Sequence, residues 1–144
     1  MLQQLTGQIM DDSFLTEKQQ EEQIIQVFDL CYFINRYKRS LKIINCSQHK
    51  INIVDDNGIK KGIYFYDSIY NTKCFLDESL FNSLNLNSFK NQSNVEELWF
   101  VVVEEGLHNN LKESNEFIER NNVNLLYDRI FYFNFSQSKI KHLK

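Results

Sequence analysis

Three aspartates are the residues of this chain best placed for metal-assisted chemistry. Asp55 and Asp56 precede a turn at Asn57-Gly58, and Asp67 ends the apolar run that follows this turn. A nuclease of the restriction type holds magnesium with such a carboxylate pair, and its chemistry also needs an acid-x-Lys pair on the following strand. Neither Glu-x-Lys nor Asp-x-Lys occurs anywhere in the 144 residues. The aspartates are therefore better explained as turn residues that bond nearby backbone N–H groups.

Cysteine and histidine offer a second possible chemistry. Cys46 and His49 have the C-x-x-H spacing of zinc ligands, and Cys31 and Cys74 would complete a set of four. A single C-x-x-H without a matching pair is a weak zinc signature, and free cysteines are usually small buried hydrophobic residues. Because the cysteines are odd in number and the N-terminus lacks a signal-peptide pattern, we expect free thiols in a reducing, intracellular compartment. We predict no metal site.

Other catalytic patterns are absent from the sequence. His49, His108 and His142 lie in polar surroundings. The chain contains neither a Gly-x-Ser-x-Gly elbow nor a glycine-rich phosphate loop. We therefore predict no catalytic residue, no cofactor and no enzymatic activity.

Basic and aromatic residues interleave in two stretches, a pattern typical of surfaces that bind single-stranded nucleic acid. The net charge of −3 argues against binding over the whole surface. However, residues 1–35 carry six acids and one lysine, whereas residues 36–50 carry five basic side chains and no acid. The alternative is a solvated loop beside ordinary strand aromatics. The residues predicted for nucleic-acid or partner binding are Tyr32, Arg36, Tyr37, Lys38, Arg39, Lys42, Lys60, Lys61, Tyr64 and Tyr66.

The elements that would position these residues include a β-hairpin over residues 50–67. Ile51 and Ile53 alternate with polar residues, and Ile63 and Phe65 alternate with tyrosines. The Asp-Asn-Gly segment between the two runs has the composition of a tight hairpin turn. These four apolar residues are predicted to lie in the core.

Apolar and polar runs predict the remaining elements. They are strands at residues 41–46, 97–103 and 129–136, a short helix at 75–86 with Asp77 as its N-cap, a polar loop at 85–94, a surface helix or insertion at 106–126, and a basic tail at 139–144. The run at 97–103 is continuously apolar, which is typical of a central strand buried on both faces.

Residues 24–34 fit both a helix and a strand. The helical pattern is Ile24, Val27, Cys31 and Ile34, and the strand pattern is Phe28, Leu30, Tyr32 and Ile34. The Gln- and Glu-rich front half favours a helix, and the β-branched and aromatic back half favours a strand. This segment decides between two folds.

With a strand there, the chain resembles oligonucleotide/oligosaccharide-binding (OB) domains of the replication protein A family, especially the N-terminal domain of the large subunit. The similar segments are residues 5–9 (Leu-Thr-Gly-Gln-Ile), 25–30, 54–58 with an acidic-Gly turn, 63–67, 98–103 and 130–135. The resemblance implies an all-β or α+β fold in one domain over residues 1–144. That fold is a five-stranded β-barrel with a helix between strands 3 and 4 and an insertion between strands 4 and 5.

The resemblance also implies a function. Such a domain would be a non-enzymatic, nuclear subunit of a replication-protein-A-like or telomere-associated complex. It would bind other protein subunits, with single-stranded DNA as a further ligand, and would not enter a membrane.

A helix continuous from Thr16 to Tyr37 would instead support an α/β core. The order would then be a helix, three antiparallel strands, a helix, a strand, a helix and a strand. This is the order of a restriction-endonuclease-like core, of which the chain would be a degenerate member, and of small immunity or inhibitor proteins.

Overall fold

A mixed six-stranded sheet organises the protein in a computed structural model, which describes residues 17–48, 51–67, 78–104 and 111–144. The strands are β1 (Lys42–Gln48), β2 (Ile51–Asp56), β3 (Ile59–Asp67), β4 (Glu97–Glu104), β5 (Arg129–Asn134) and β6 (Lys139–His142). They lie side by side in chain order, with β1 and β6 at the two edges. The β3–β4 and β4–β5 pairs are parallel, and the other three pairs are antiparallel.

Helices cover both faces of this sheet, as parallel strands require, because each parallel pair needs a crossover connection. One face is covered by α1 (Glu17–Tyr37). The other is covered by a 3₁₀ helix (Glu78–Phe81), α2 (Ser83–Ser93), α3 (Leu111–Arg120) and α4 (Val123–Leu126). The described chain is therefore a three-layer α/β/α arrangement.

The core has one half on each face of the sheet. Beneath α1, the Phe33 ring lies 5.7 Å from that of Phe65 and 5.4 Å from that of Phe131 between centroids. On the opposite face, Phe117 of α3 stacks on Tyr66 with 4.2 Å between centroids. Aromatic pairs at these distances add to the stabilisation that burial of their area supplies.

The predicted hairpin is confirmed. β2 and β3 pair in antiparallel register across a two-residue turn, with Asn57 at φ 54° and Gly58 at φ 91°. Two consecutive positive φ angles are typical of the type I′ turn, which matches the twist of the flanking strands. All four predicted core residues of the hairpin are buried: Ile51, Ile53, Ile63 and Phe65.

The five-stranded barrel is wrong, because residues 24–34 are helical and the sheet is open. The proposed first barrel strand, residues 25–30, lies within α1. The strand at 97–103 is confirmed as β4, but it pairs parallel with β3, so the chain must cross over between these strands. Two further predictions lie outside the described residues: the OB-like segment at residues 5–9 and the start of the alternative helix at Thr16. The coarser α+β prediction agrees with the observed mixture of helices and strands.

The polar segment at residues 85–94 is helical, although its composition predicts a loop. Residues 83–93 form α2, and the predicted cap Asp77 lies outside the described residues. The Asn82 side chain caps α2 by accepting hydrogen bonds from the N–H groups of Leu84 and Asn85. Leu86 and Phe89, three residues apart, supply its buried side, so a narrow apolar stripe is enough to dock a mostly polar helix.

The predicted insertion and basic tail both belong to the body of the fold. Phe117 and Ile118 of α3 are buried in the core beneath the sheet. β6, in the basic tail, pairs antiparallel with β5. Removal of α3 would therefore expose core side chains, and it would not merely shorten a surface loop.

Candidate binding surface

The hairpin aspartates do not converge on one point. Asp55 Oδ2 accepts a hydrogen bond from the Gly58 N–H at 3.2 Å, and an oxygen of Asp56 lies 2.8 Å from Lys38 Nζ. Asp67 lies at the other end of nine-residue β3 and is buried. The interpretation of Asp55 as a turn residue is confirmed.

A neutral amide network occupies the centre of the hairpin, on the face covered by α1. The fully buried Asn52 donates from Nδ2 to Gln26 Oε1 and to the Ile63 carbonyl, each at 3.1 Å. Gln26 also bonds both backbone groups of Phe65, donating to its carbonyl at 2.6 Å and accepting from its N–H at 3.3 Å. Two amide side chains thus join α1 to β2 and β3.

A charged cluster lies where β4 and β5 begin. Glu97 Oε1 lies 2.9 Å from Lys61 Nζ and 3.4 Å from Arg129 Nε, and it accepts from Trp99 Nε1 at 2.9 Å. Burial opposes ionisation of Glu97. Hydrogen bonds from Trp99 and Lys61, with the charges of Lys61 and Arg129, outweigh this effect and lower the pKa of Glu97. This carboxylate neutralises a lysine that is only 8% exposed.

Three of the ten predicted binding residues are buried, and Tyr37 is one of three that are half-buried. Tyr64 and Tyr66 are buried in the core on the face opposite α1. Lys61 is buried against Glu97. Tyr37 is half-buried, with its ring 5.8 Å from Trp99 and 5.1 Å from Phe131. Stacking of a nucleic-acid base on Tyr64 or Tyr66 would require the core to open.

The other predicted residues lie toward the solvent, mostly where α1 ends. Arg36, Arg39 and Lys42 are exposed. The Arg36 guanidinium donates to the Ser138 carbonyl, and Arg39 Nε donates to the Asn35 carbonyl at 3.4 Å. The half-buried Lys38 is paired with Asp56 as described above, Lys60 is half-buried, and Tyr32 is exposed. The basic end of α1 therefore exists, but the combined basic and aromatic groove does not form.

Sequence reasoning missed the apolar surface of α1 that faces solvent. Ile24, Phe28 and Tyr32 expose 56%, 59% and 56% of their area, Val27 exposes 37%, and Cys31 is exposed. We call these five residues the outer face of α1. Positions 24, 28 and 32 recur every four residues and so lie along one side of the helix.

The buried side of α1 carries the polar residues that a helical pattern would place outside. Gln26, Asp29, Leu30 and Phe33 are buried. Three of the four residues of the predicted apolar stripe therefore face solvent and not the core: Ile24, Val27 and Cys31. The fourth, Ile34, is half-buried. The signal available in the sequence was an apolar residue at every fourth position from 24 to 32, beside a second apolar pair at 30 and 33.

The zinc alternative receives no support from the described residues. They contain no cluster of three or more His, Cys, Asp or Glu side chains that could hold a metal ion. Cys31 is a free, exposed thiol, so its prediction as a buried residue is wrong. His49 and Cys74 lie outside the described residues, as does the side chain of Cys46.

Two surface depressions in the described part of the chain differ in size and in lining. A cleft of about 190 Å³ between α2 and β2 is lined by residues such as Ile51, Leu86 and Phe89. This volume is below the roughly 300–1,000 Å³ of typical ligand pockets. A wider depression of about 490 Å³ along α3 is lined by Leu111 and the polar residues that follow it on one helix side.

Comparisons with known proteins give no relative from which a function could be transferred. No protein-family model, curated protein or solved structure matches the chain. Within the described segments, none of the helices is long and apolar enough to cross a membrane. The functional inference therefore rests on the surface of the molecule itself.

Proposed function

We propose that this protein is a non-enzymatic binding domain that recognises another protein through the outer face of α1. The exposed side chains of Ile24, Phe28 and Tyr32 carry this proposal. Exposed apolar residues scattered singly are normal, but a contiguous patch commonly marks an interaction site. Aromatic side chains are also the residues most enriched in protein interfaces.

The arrangement of the hairpin supports a role without catalysis. The observed order of helices and strands matches the alternative expected for a restriction-endonuclease-like core, up to β5. Hydrolysis by a nuclease of that type needs converging carboxylates that hold the metal ion, with a lysine nearby. Here Asp56 and Asp67 lie at opposite ends of the hairpin, and its centre holds the neutral pair of Asn52 and Gln26. The match to this core concerns the order of elements alone.

Capture of partners by charge variants tests the proposal. The tagged protein, its Phe28→Glu variant and its Leu125→Glu variant would be expressed in the native cells and purified under identical conditions. Leu125 is the matched control because it is 84% exposed and lies on α4, on the opposite side of the sheet. Loss of a specific partner with Phe28→Glu, but not with Leu125→Glu, supports recognition by the outer face of α1.

Two results would contradict the proposal. Equal recovery of every partner by the wild type and the Phe28→Glu variant would show that the outer face of α1 does not bind these partners. Magnesium-dependent cleavage of DNA by the purified wild-type protein would show that the domain is an enzyme. Circular dichroism of each variant must match the wild type, so that lost capture cannot reflect unfolding.

A second candidate function is contact with single-stranded DNA at the basic end of α1, where Arg36, Arg39 and Lys42 are exposed and the exposed Tyr32 precedes Arg36 by four residues on the helix. Phosphate contacts release counterions, so such binding should weaken steeply as salt is raised. Fluorescence anisotropy with a labelled oligonucleotide would measure it. The variant with Arg36→Glu and Arg39→Glu should abolish binding, and salt-insensitive or absent binding at low salt rules this candidate out. Membership of a nuclear replication or telomere complex stays a prediction from the sequence.

A further inference from the structure

The outer face of α1 lies between two ends of opposite charge. Glu17 is an exposed acid in the first turn of the 21-residue helix, and Arg36 is an exposed base in the last turn. Arg39, also exposed, lies two residues after the end of the helix at Tyr37. Phe28 lies midway between Glu17 and Arg39, eleven residues from each. The surface therefore has an aromatic centre, an acidic end and a basic end.

We propose that the partner recognised by the outer face of α1 is a second copy of this chain, with the two α1 helices packed antiparallel about a two-fold axis near Phe28. This inference rests on the proposed function and names its partner. Residues equally distant from Phe28 then lie level with each other across the interface. Ile24 comes level with Tyr32 of the second copy, and Glu17 comes level with its Arg39.

Self-complementarity is the reason for choosing a second copy over an unrelated protein. A two-fold interface brings the same surface of each subunit together, so that surface must complement itself when it is reversed. An antiparallel arrangement places the acidic end of each helix beside the basic end of the other, twice in one dimer. A parallel arrangement would place like charges together at both ends and is disfavoured.

The size of the patch is adequate for a reversible dimer. The exposed parts of Ile24, Val27, Phe28 and Tyr32 amount to on the order of 400 Å² per copy, since an aromatic side chain brings roughly 150–250 Å². Pairing would therefore bury on the order of 800 Å² from these residues, and the flanking polar groups would add more. Specific interfaces bury about 1,200–2,000 Å², with transient ones at or below that range. We accordingly expect a dimer that dissociates on dilution.

Sedimentation velocity on the full chain tests the pairing, over roughly 1 to 200 µM, which brackets the affinity expected for a small interface. The wild type should shift from monomer to dimer across this range. Phe28→Glu places two carboxylates together at the two-fold axis and should raise the dissociation constant at least about thirtyfold, as for a central interface residue. Leu125→Glu adds the same charge on α4 and should leave the dissociation constant unchanged.

A mixture of two charge variants tests the antiparallel register. Glu17→Arg and Arg39→Glu should each weaken self-association by about two- to fivefold, because surface ion pairs are individually weak. Mixed in equal amounts, the two variants can form a heterodimer in which both level pairs are again Arg opposite Glu. Recovery of dimer in the mixture supports the register, and the absence of recovery overturns it.

Disulfide trapping gives an independent measure of the register. In the proposed dimer, position 28 meets itself across the axis, so Phe28→Cys should form an interchain disulfide under mild oxidation. The native Cys31 residues of the two copies would lie about 9 Å apart along the helix direction, beyond the reach of a disulfide. Faster trapping of the wild type than of Phe28→Cys would overturn the register.

The outcomes separate this inference from the proposed function. A wild type that remains monomeric over the whole range overturns the self-pairing. The proposed function still stands if Phe28→Glu abolishes capture of a different protein. Conversely, a concentration-dependent dimer that Phe28→Glu leaves intact overturns both the two-fold pairing and the use of this surface.

Discussion

Replacement of Gln26 should destabilise the protein more strongly than any substitution on the solvent side of α1. Gln26 is 3% exposed, and its side chain bonds both backbone groups of Phe65 as well as the Asn52 amide. The side chain takes the role that a neighbouring strand would have at this point of β3. These hydrogen bonds can form only if residues 24–34 are a helix that lies across the sheet. The stability of a Gln26 variant therefore tests the fold itself.

The magnitude follows from the groups that the substitution leaves without a partner. Gln26→Leu keeps most of the side-chain volume but removes all three hydrogen bonds, leaving the Phe65 N–H and carbonyl buried and unsatisfied. Each such group costs about 1–3 kcal/mol, so two of them should lower the free energy of unfolding by about 2–6 kcal/mol. Asn52 retains its bond to the Ile63 carbonyl and adds less.

Urea denaturation followed by tryptophan fluorescence measures this loss, because the chain has a single tryptophan, Trp99, which is 2% exposed. Asn35→Ala is the control, since Asn35 is an exposed residue of the same helix and its substitution should change stability by less than about 0.5 kcal/mol. A Gln26→Leu variant as stable as the control would refute the position of α1 on the sheet.

Four further predictions address the core and one ion pair. Gly62→Ala should cost about 1–3 kcal/mol, because its Cβ would lie 2.8 Å from a Leu98 methyl carbon; urea denaturation measures the loss. Ile53→Ala should cost about 2–5 kcal/mol, and an unchanged melting temperature would show that the hairpin does not contribute to the core. Phe117→Ala should cost about 3–5 kcal/mol in the same urea assay, whereas a dispensable insertion would show almost no loss. Because the pKa of Glu97 is lowered in the folded protein, its contribution is present above the ordinary carboxyl pKa and disappears as pH falls through the folded value. Urea titrations at several pH values should show that the Glu97→Gln variant loses less free energy of unfolding than the wild type as the pH is lowered.

The hairpin could be predicted because its signals are local. Ile51 and Ile53 alternate along one strand, and the Asn57-Gly58 turn demands the positive φ angles observed there. Each signal depends on neighbouring residues alone. The central strand β4 was equally predictable, since a short, continuous apolar run bounded by acids is typical of a strand buried on both faces. The parallel pairing of β4 with β3 and β5 could not be predicted, because the direction of pairing depends on where the connecting helices pass.

The state and orientation of α1 could not be predicted from the same kind of pattern. Residues 24–34 are apolar at both helical and strand spacings, so periodicity alone leaves both states open. The buried side of the helix includes Gln26 because the Phe65 backbone supplies hydrogen-bond partners for its amide. The exposed side includes Phe28, which a rule based on hydrophobicity assigns to the interior.

The candidate site was only partly predictable for a related reason. The sequence correctly indicated a basic segment after residue 35, and Arg36 and Arg39 are exposed there. It also grouped Tyr64 and Tyr66 with that segment, although alternation on β3 turns both toward the face opposite α1. These two tyrosines and the basic segment, which the sequence grouped into one binding surface, therefore lie on opposite faces of the sheet.

The sequence by itself determined the hairpin, the strands β4 and β5, and the separation of acidic residues within 1–35 from basic residues within 36–50. These properties depend on local alternation, turn chemistry and residue type. Only the tertiary structure decided that residues 24–34 form a helix, that its polar Gln26 faces inward, and that Ile24, Phe28 and Tyr32 face solvent. The physical reason is that a helix docks by the side whose hydrogen bonds and shape match the sheet. That match is made with strands far away in the sequence.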